Sequence, residues 1–284
     1  MNGTMRKILT ILLAAVFVVS TALFIARSMN SAKAEESYQS AEELAARPKE
    51  PAKQESAPEE TEPAVPEVTE PQTMWVPAPV EPDEHMKKLA DINLDALREV
   101  NPDVRGWIYL PNTLINYPIV QGEDNQHYLE FTWDNKKNVA GSIFLEATNA
   151  PDFSDFRSIV YGHNMANSTM FGSLHRYGSK DYWQQYPYAY LVTDEGVLRY
   201  EIYSCYKANI ESATYVLGLE EDGMKAAFIK LTKDESELGT DLIPVVTDRV
   251  LTLSTCVGNY SYRRVVHARL PMIEVEVEKG APQE

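Results

Sequence analysis

Residues Ile8 to Ala26 form an apolar run broken only by Thr10, Ser20 and Thr21, with Arg6 and Lys7 just before it. As a helix rising 1.5 Å per residue, a run of about 19 residues nearly matches the 30 Å hydrocarbon core of a bilayer. A cleaved signal peptide is the alternative, and Ala32-Lys33-Ala34 imitates a cleavage site, but that site lies well past the apolar run. An uncleaved anchor over residues 1–30 is therefore the expectation. The short, non-acidic N-terminus favours an N-in orientation, with the bulk of the chain outside, although Arg27 and Lys33 follow the span.

Residues 31–84 read as a spacer. Nine of the 17 prolines fall there, and 14 acidic residues against four basic ones supply −10 of the −16 formal charge. Prolines and like charges with few aromatics predict an extended, disordered linker, a stalk that lifts a domain off the membrane. The acidic balance excludes a nucleic-acid partner, because phosphate binding requires a basic stripe.

The remaining stretch, 85–275 followed by a tail over 276–284, suits one compact domain. Met86 to Leu97 reads helical and stops at Asn101-Pro102-Asp103. Short apolar runs then predict strands at 106–109, 116–120, 141–146, 158–161, 189–193, 197–207, 249–256 and 263–271. Helical inserts are expected at 170–176 and 220–232. Many strands at short spacing predict a mainly β domain, a closed or nearly closed barrel.

Thr252-Leu253-Ser254-Thr255-Cys256 places a thiol at a strand end. Alternation sets Thr252, Ser254 and Cys256 on one face and Leu251, Leu253 and Thr255 on the other. In the next strand Arg263, His267 and Arg269 share the polar face. If the two strands pair as a hairpin, Cys256 and Arg263 share an open face, a setting that activates a cysteine. A buried cysteine is ordinarily only a small hydrophobe, and a Cys205–Cys256 disulfide would abolish the chemistry.

A thiol nucleophile needs a proton-transfer partner. Of His85, His127, His163, His175 and His267, His163 stands out, because it leaves an apolar strand through Gly162. A zinc site from His127, His163 and His175 is a weaker alternative, since no pair has close ligand spacing.

Ser158-Ile159-Val160-Tyr161-Gly162-His163-Asn164-Met165, Met170-Phe171-Gly172-Ser173-Leu174, Thr252 to Cys256 and Arg263 to Leu270 resemble class B sortases. So do Gly106-Trp107-Ile108, Tyr117 to Gly122, Asp124-Asn125, Tyr128-Leu129 and Gly141 to Leu145, in the family's order. The connection from Cys256 to Arg263 is short, and the Arg263-Arg264 doublet makes the arginine assignment less automatic. The resemblance implies an eight-stranded sortase-type barrel with an N-terminal helix. It also implies a cysteine transpeptidase of a Gram-positive cell membrane, needing no cofactor. Cys256 would be the nucleophile, His163 the proton carrier and Arg263 the oxyanion donor. Asn125, Leu129, Thr214, Tyr215, Val216, Ser254 and Thr255 would bind the substrate. The implied partners are surface proteins or pilins bearing a sorting signal cut after threonine, and an amine of a peptidoglycan precursor or a pilin lysine. Two other readings remain open: a thiol hydrolase, and a membrane-tethered binding module that keeps the barrel without the chemistry.

Overall fold

Strand alternation becomes a barrel in the computed structural model, which describes residues 3–49, 72–256 and 261–277. In chain order the elements are α1 (Gly3–Ala45), β1 (Gln72–Pro77), α2 (Glu84–Leu89), α3 (Leu94–Arg98), β2 (Val104–Tyr109), β3 (Asn116–Val120), α4 (His127–Glu130), β4 (Ile143–Leu145) and β5 (Arg157–His163). A 3-10 helix, Gly172–Gly178, precedes α5 (Lys180–Gln185), β6 (Tyr188–Thr193) and β7 (Gly196–Asn209). A 3-10 turn, Ala213–Tyr215, leads to α6 (Asp222–Asp234), β8 (Arg249–Cys256), β9 (Tyr262–Leu270) and β10 (Met272–Val277).

Eight strands close in the order β2-β3-β4-β5-β8-β9-β7-β6. Most neighbours are antiparallel, whereas β3–β4 and β5–β8 run parallel. Inward positions such as Ile108, Ile119, Val160, Leu253 and Val266 fill the barrel and are fully buried. Each such side chain contributes about 1.5–3 kcal/mol by leaving water. The helix expected from Met86 to Leu97 is two short ones. Asp83 caps α2 by accepting from the backbone N–H groups of His85 and Met86, and Asn93 restarts the chain by capping α3 at Ala96. The 170–176 insert forms as a 3-10 helix followed by α5, and the 220–232 insert forms as α6.

The spacer expected from residue 31 does not hold at either end. Residues 31–45 continue α1, and Ala34, Ser37, Tyr38, Ala41, Leu44 and Ala45 form a buried stripe at helical spacing. Hydrogen bonds fix this stripe to the barrel. Tyr38 OH donates to the Gly141 carbonyl at 2.6 Å, Trp133 Nε1 to the Ser37 carbonyl at 2.8 Å, and Asn138 Nδ2 to the Asn30 carbonyl at 2.9 Å. At the other end β1 pairs antiparallel with β10, so residues 72–77 and 272–277 form a ribbon of their own. Residues 50–71 of the expected spacer and 278–284 of the expected tail lie outside the described residues.

Candidate active site

Three neighbouring strands define the site. In the parallel β5–β8 pair, His163 is the register partner of Cys256, and Tyr161 that of Ser254. In the antiparallel β8–β9 pair, Ser254 faces Val265 and Thr252 faces His267. The same count carried two residues onward sets Cys256 across from Arg263. Register partners share a pleat face, so positions 163, 256 and 263 form one row across the sheet. Successive rows beneath it are Tyr161–Ser254–Val265 and Ile159–Thr252–His267. Residues 257–260 of the short connection to Arg263 lie outside the described residues.

The His163 imidazole is held by α4, where Nε2 donates to the Leu129 carbonyl at 2.7 Å. A carbonyl only accepts, so this bond assigns the proton to Nε2 and leaves Nδ1 as the other ring nitrogen. Gly162 lies within β5 and serves close packing. A Cβ there would stand 2.4 Å from Ile143 Cδ1 and 2.8 Å from Phe171 Cγ. Gly141 has φ +57°, and a Cβ would meet the Leu129 carbonyl at 2.6 Å, so the chain entering β4 lies hard against the carbonyl that holds His163.

The adjacent arginine takes another path. Arg264 Nη1 donates to Glu237 Oε2 at 2.6 Å and contacts Cys205 Sγ at 3.6 Å, and the Arg264 N–H donates to Thr255 Oγ1. These contacts support the parity argument for Arg263. Cys205 is a free, buried thiol whose pKa is pushed up to about 12 by burial, even with Arg264 alongside. Cys205 shares the inward face with Val266 and Leu253, whereas position 256 is on the opposite face, so the two cysteines are not bridged. The three histidines weighed for zinc have separate partners: His127 stacks on Phe131, His163 holds Leu129, and His175 Nδ1 meets the Gly172 carbonyl. Among the described residues no three His, Cys, Asp or Glu side chains converge on a metal position.

The seven expected substrate-binding residues divide by burial. Leu129, Tyr215 and Val216 present surface, whereas Thr214, Ser254 and Thr255 are buried and hydrogen-bonded. Thr214 shares a hydrogen bond with Tyr206, and Ser254 shares one with the Tyr215 hydroxyl at 2.9 Å. Thr255, on the other face of β8, accepts from the Arg264 N–H. Asn125 donates to Glu146 Oε1 at 2.6 Å and accepts from the Ala147 N–H, so its amide is engaged at both ends.

Several supporting residues escaped the sequence reading. Glu146 is a buried carboxylate that accepts from Asn125 and from the Tyr161 hydroxyl. Arg157, also buried, donates through Nη1 to the Thr214 carbonyl at 2.6 Å and through Nη2 to the Val216 carbonyl. Burial lowers its pKa to about 10, so it keeps its charge at neutral pH while holding the 214–216 loop. Strand parity was the available signal, because Arg157, Ile159, Tyr161 and His163 alternate onto one face of β5. Glu146, just past β4, carries no such signal.

A closed barrel whose parallel central pair ends in a histidine and a cysteine is the framework of a thiol acyl-transfer enzyme. Residues 108–271 match the sortase domain family. The chain is 30% identical over 167 residues to sortase B of Staphylococcus aureus, covering 59% of this chain and 68% of that one. It is 32% identical over 180 residues to sortase B of Listeria monocytogenes, covering 61% and 72%. Among solved structures, the S. aureus sortase B–substrate complex superposes with a TM-score of 0.60 at 29% identity, covering 65% of this chain and 85% of that one. Sortase B of Bacillus anthracis in complex with AAEK1 gives 0.58 at 32% identity, covering 62% and 83%. The chain belongs to the sortase family, as a class B sortase: a cysteine transpeptidase acting on proteins that carry a sorting signal and on an amine acceptor.

Proposed function

We propose that Cys256 is the nucleophile, His163 the proton carrier and Arg263 the oxyanion donor of this transpeptidase. The row that β5, β8 and β9 form across the sheet carries the assignment. The Cys256 thiolate attacks the carbonyl carbon of a threonine in the sorting signal, and Arg263 donates hydrogen bonds where oxyanion charge develops. As the peptide bond breaks, the imidazolium of His163 gives its proton to the departing amine, leaving a thioester. The amine of a peptidoglycan precursor or a pilin lysine then loses a proton to His163, attacks the thioester and releases the thiolate. Because Nε2 is committed to the Leu129 carbonyl, Nδ1 is the nitrogen that exchanges protons with the reacting groups. Leu129, Tyr215 and Val216 line the groove for the signal, and Asn125, Thr214, Ser254 and Thr255 hold its walls.

The apolar half of α1 is long enough to cross a membrane, and its large side chains from Leu12 to Ile25 are exposed. We read it as a single-pass anchor with the N-terminus inside and the barrel outside. The decisive experiment incubates the full chain in detergent with a sorting-peptide library and candidate amines, and identifies products by mass spectrometry. A peptide cut after threonine and joined to the amine is the expected product. Cleavage without transfer at saturating amine would assign hydrolysis instead.

A further inference from the structure

A barrel on a long flexible stalk would hold no fixed height above a bilayer, but α1 has no break between its exposed apolar half and its docked half. The apolar run ends at Ala26, and the Asn30 carbonyl, which accepts from Asn138, lies about 6 Å further along the helix axis. A headgroup layer is about 5–7 Å deep on each side of the hydrocarbon core. The loop carrying Asn138 therefore meets the helix at headgroup level. Its neighbours suit that level. Val139 is 63% exposed, the most of any large apolar side chain outside α1 among the described residues. Lys136 and Lys137 are each 76% exposed, with their stems free to lie along the surface. Each lysine also has a carboxylate partner, Asp134 for Lys136 and Glu130 for Lys137, and Glu36 of α1 acts on Lys136 as well. Net positive charge is thus not the source of the contact. An apolar tip flanked by two ammonium donors at a fixed height is.

We propose that the 135–139 loop is a membrane-contact surface, with Val139 dipping into the phospholipid headgroup layer and Lys136 and Lys137 meeting phosphate oxygens. The barrel would then ride directly on the membrane that α1 spans. This inference rests on the anchor reading of α1.

The test uses the full chain carrying Cys256→Ala, reconstituted in phosphatidylcholine–phosphatidylglycerol vesicles, with an environment-sensitive fluorophore on one added cysteine. Val139→Cys is compared with Asp91→Cys. Asp91 lies by Asn93, whose N–H binds the Ala45 carbonyl, about 22 Å further along α1 than Asn30. Val18→Cys, read with a nitroxide deep in the acyl chains, reports whether α1 is inserted. With a headgroup nitroxide, emission should be blue-shifted and quenched at position 139 and unchanged at position 91. Quenching at Val18 with positions 139 and 91 alike would overturn the contact alone. No quenching at Val18 would overturn the anchor and the contact together.

Discussion

Two arginine–cysteine pairs of positions lie on opposite faces of the sheet: 264 with 205, and 263 with 256. Inside, Arg264 reaches Cys205, but the thiol is enclosed by the barrel core and Glu237 takes the guanidinium's charge. Desolvation outweighs attraction there, and the pKa of Cys205 moves up, away from a reactive thiolate. On the other face, positions 256 and 263 end a row that begins with His163, at the rim where the strands stop. An arginine beside a cysteine is thus insufficient for reactivity. The thiol must also lie where water and substrate reach it, with a proton carrier in the same row.

The largest effect that would break this comparison is on turnover. Cys256→Ala should lower peptide cleavage by at least about 10³-fold, as loss of a covalent nucleophile does, while Cys205→Ala should leave kcat near its starting value. Iodoacetamide adds a direct readout, since rapid alkylation at Cys256 and slow alkylation at Cys205 is expected. Equal rates would erase the distinction between the two faces.

Next in size is the arginine doublet. Arg263→Lys should cost about 10²-fold in kcat/KM, in the range for a lost oxyanion donor, because an ammonium cannot reproduce the planar fork. Arg264→Lys should change kcat/KM much less and show itself in stability, through the weakened contacts to Glu237 and Cys205. The reverse ranking would assign the oxyanion role to Arg264.

A smaller effect concerns the core thiol. Cys205→Ala removes one buried atom, a loss of about 1–2 kcal/mol, which at this domain size lowers Tm by roughly 2–8 °C. An unchanged Tm would mean that the inner pair contributes nothing to packing.

A pH-dependent effect sharpens the outer face itself. His267 lies there under Tyr206 and Phe228, and burial pushes its pKa down to about 3. Between the ordinary histidine value near 6.5 and about 3, the unfolded chain binds a proton that the folded one refuses. The stability from keeping His267 neutral is therefore complete above the ordinary value and declines as pH falls toward 3. Thermal melts across this range should show a shallower decline for His267→Gln than for the native chain. Identical slopes would show that His267 is not the group responsible.

The strands were legible because apolar alternation has a short period and needs no partner to be seen. Residues 116–120 and 249–256 form strands over the expected span, and parity alone separated Arg263 from Arg264. The spacer misled because average composition hid a local pattern. Its prolines begin only at Pro48, and before them Ala34, Tyr38, Ala41 and Ala45 recur at helical spacing. Averaging over 31–84 removed that period.

What the sequence by itself determined was most of the barrel strands, the face of each, and the residue types that Cys256, His163 and Arg263 offer to the proposed chemistry. These are local properties, written in the order of side chains along each strand. Tertiary structure alone decided which strands became neighbours. Parallel pairing of β5 with β8 sets His163 beside Cys256, although 93 residues separate them in the chain. It also decided which polar groups left water, burying Thr214, Ser254 and Thr255 against hydrogen-bond partners and setting Arg157 under the 214–216 loop and Glu146 against Asn125 and Tyr161. Burial and register depend on what the rest of the chain brings alongside, and no single segment carries that information.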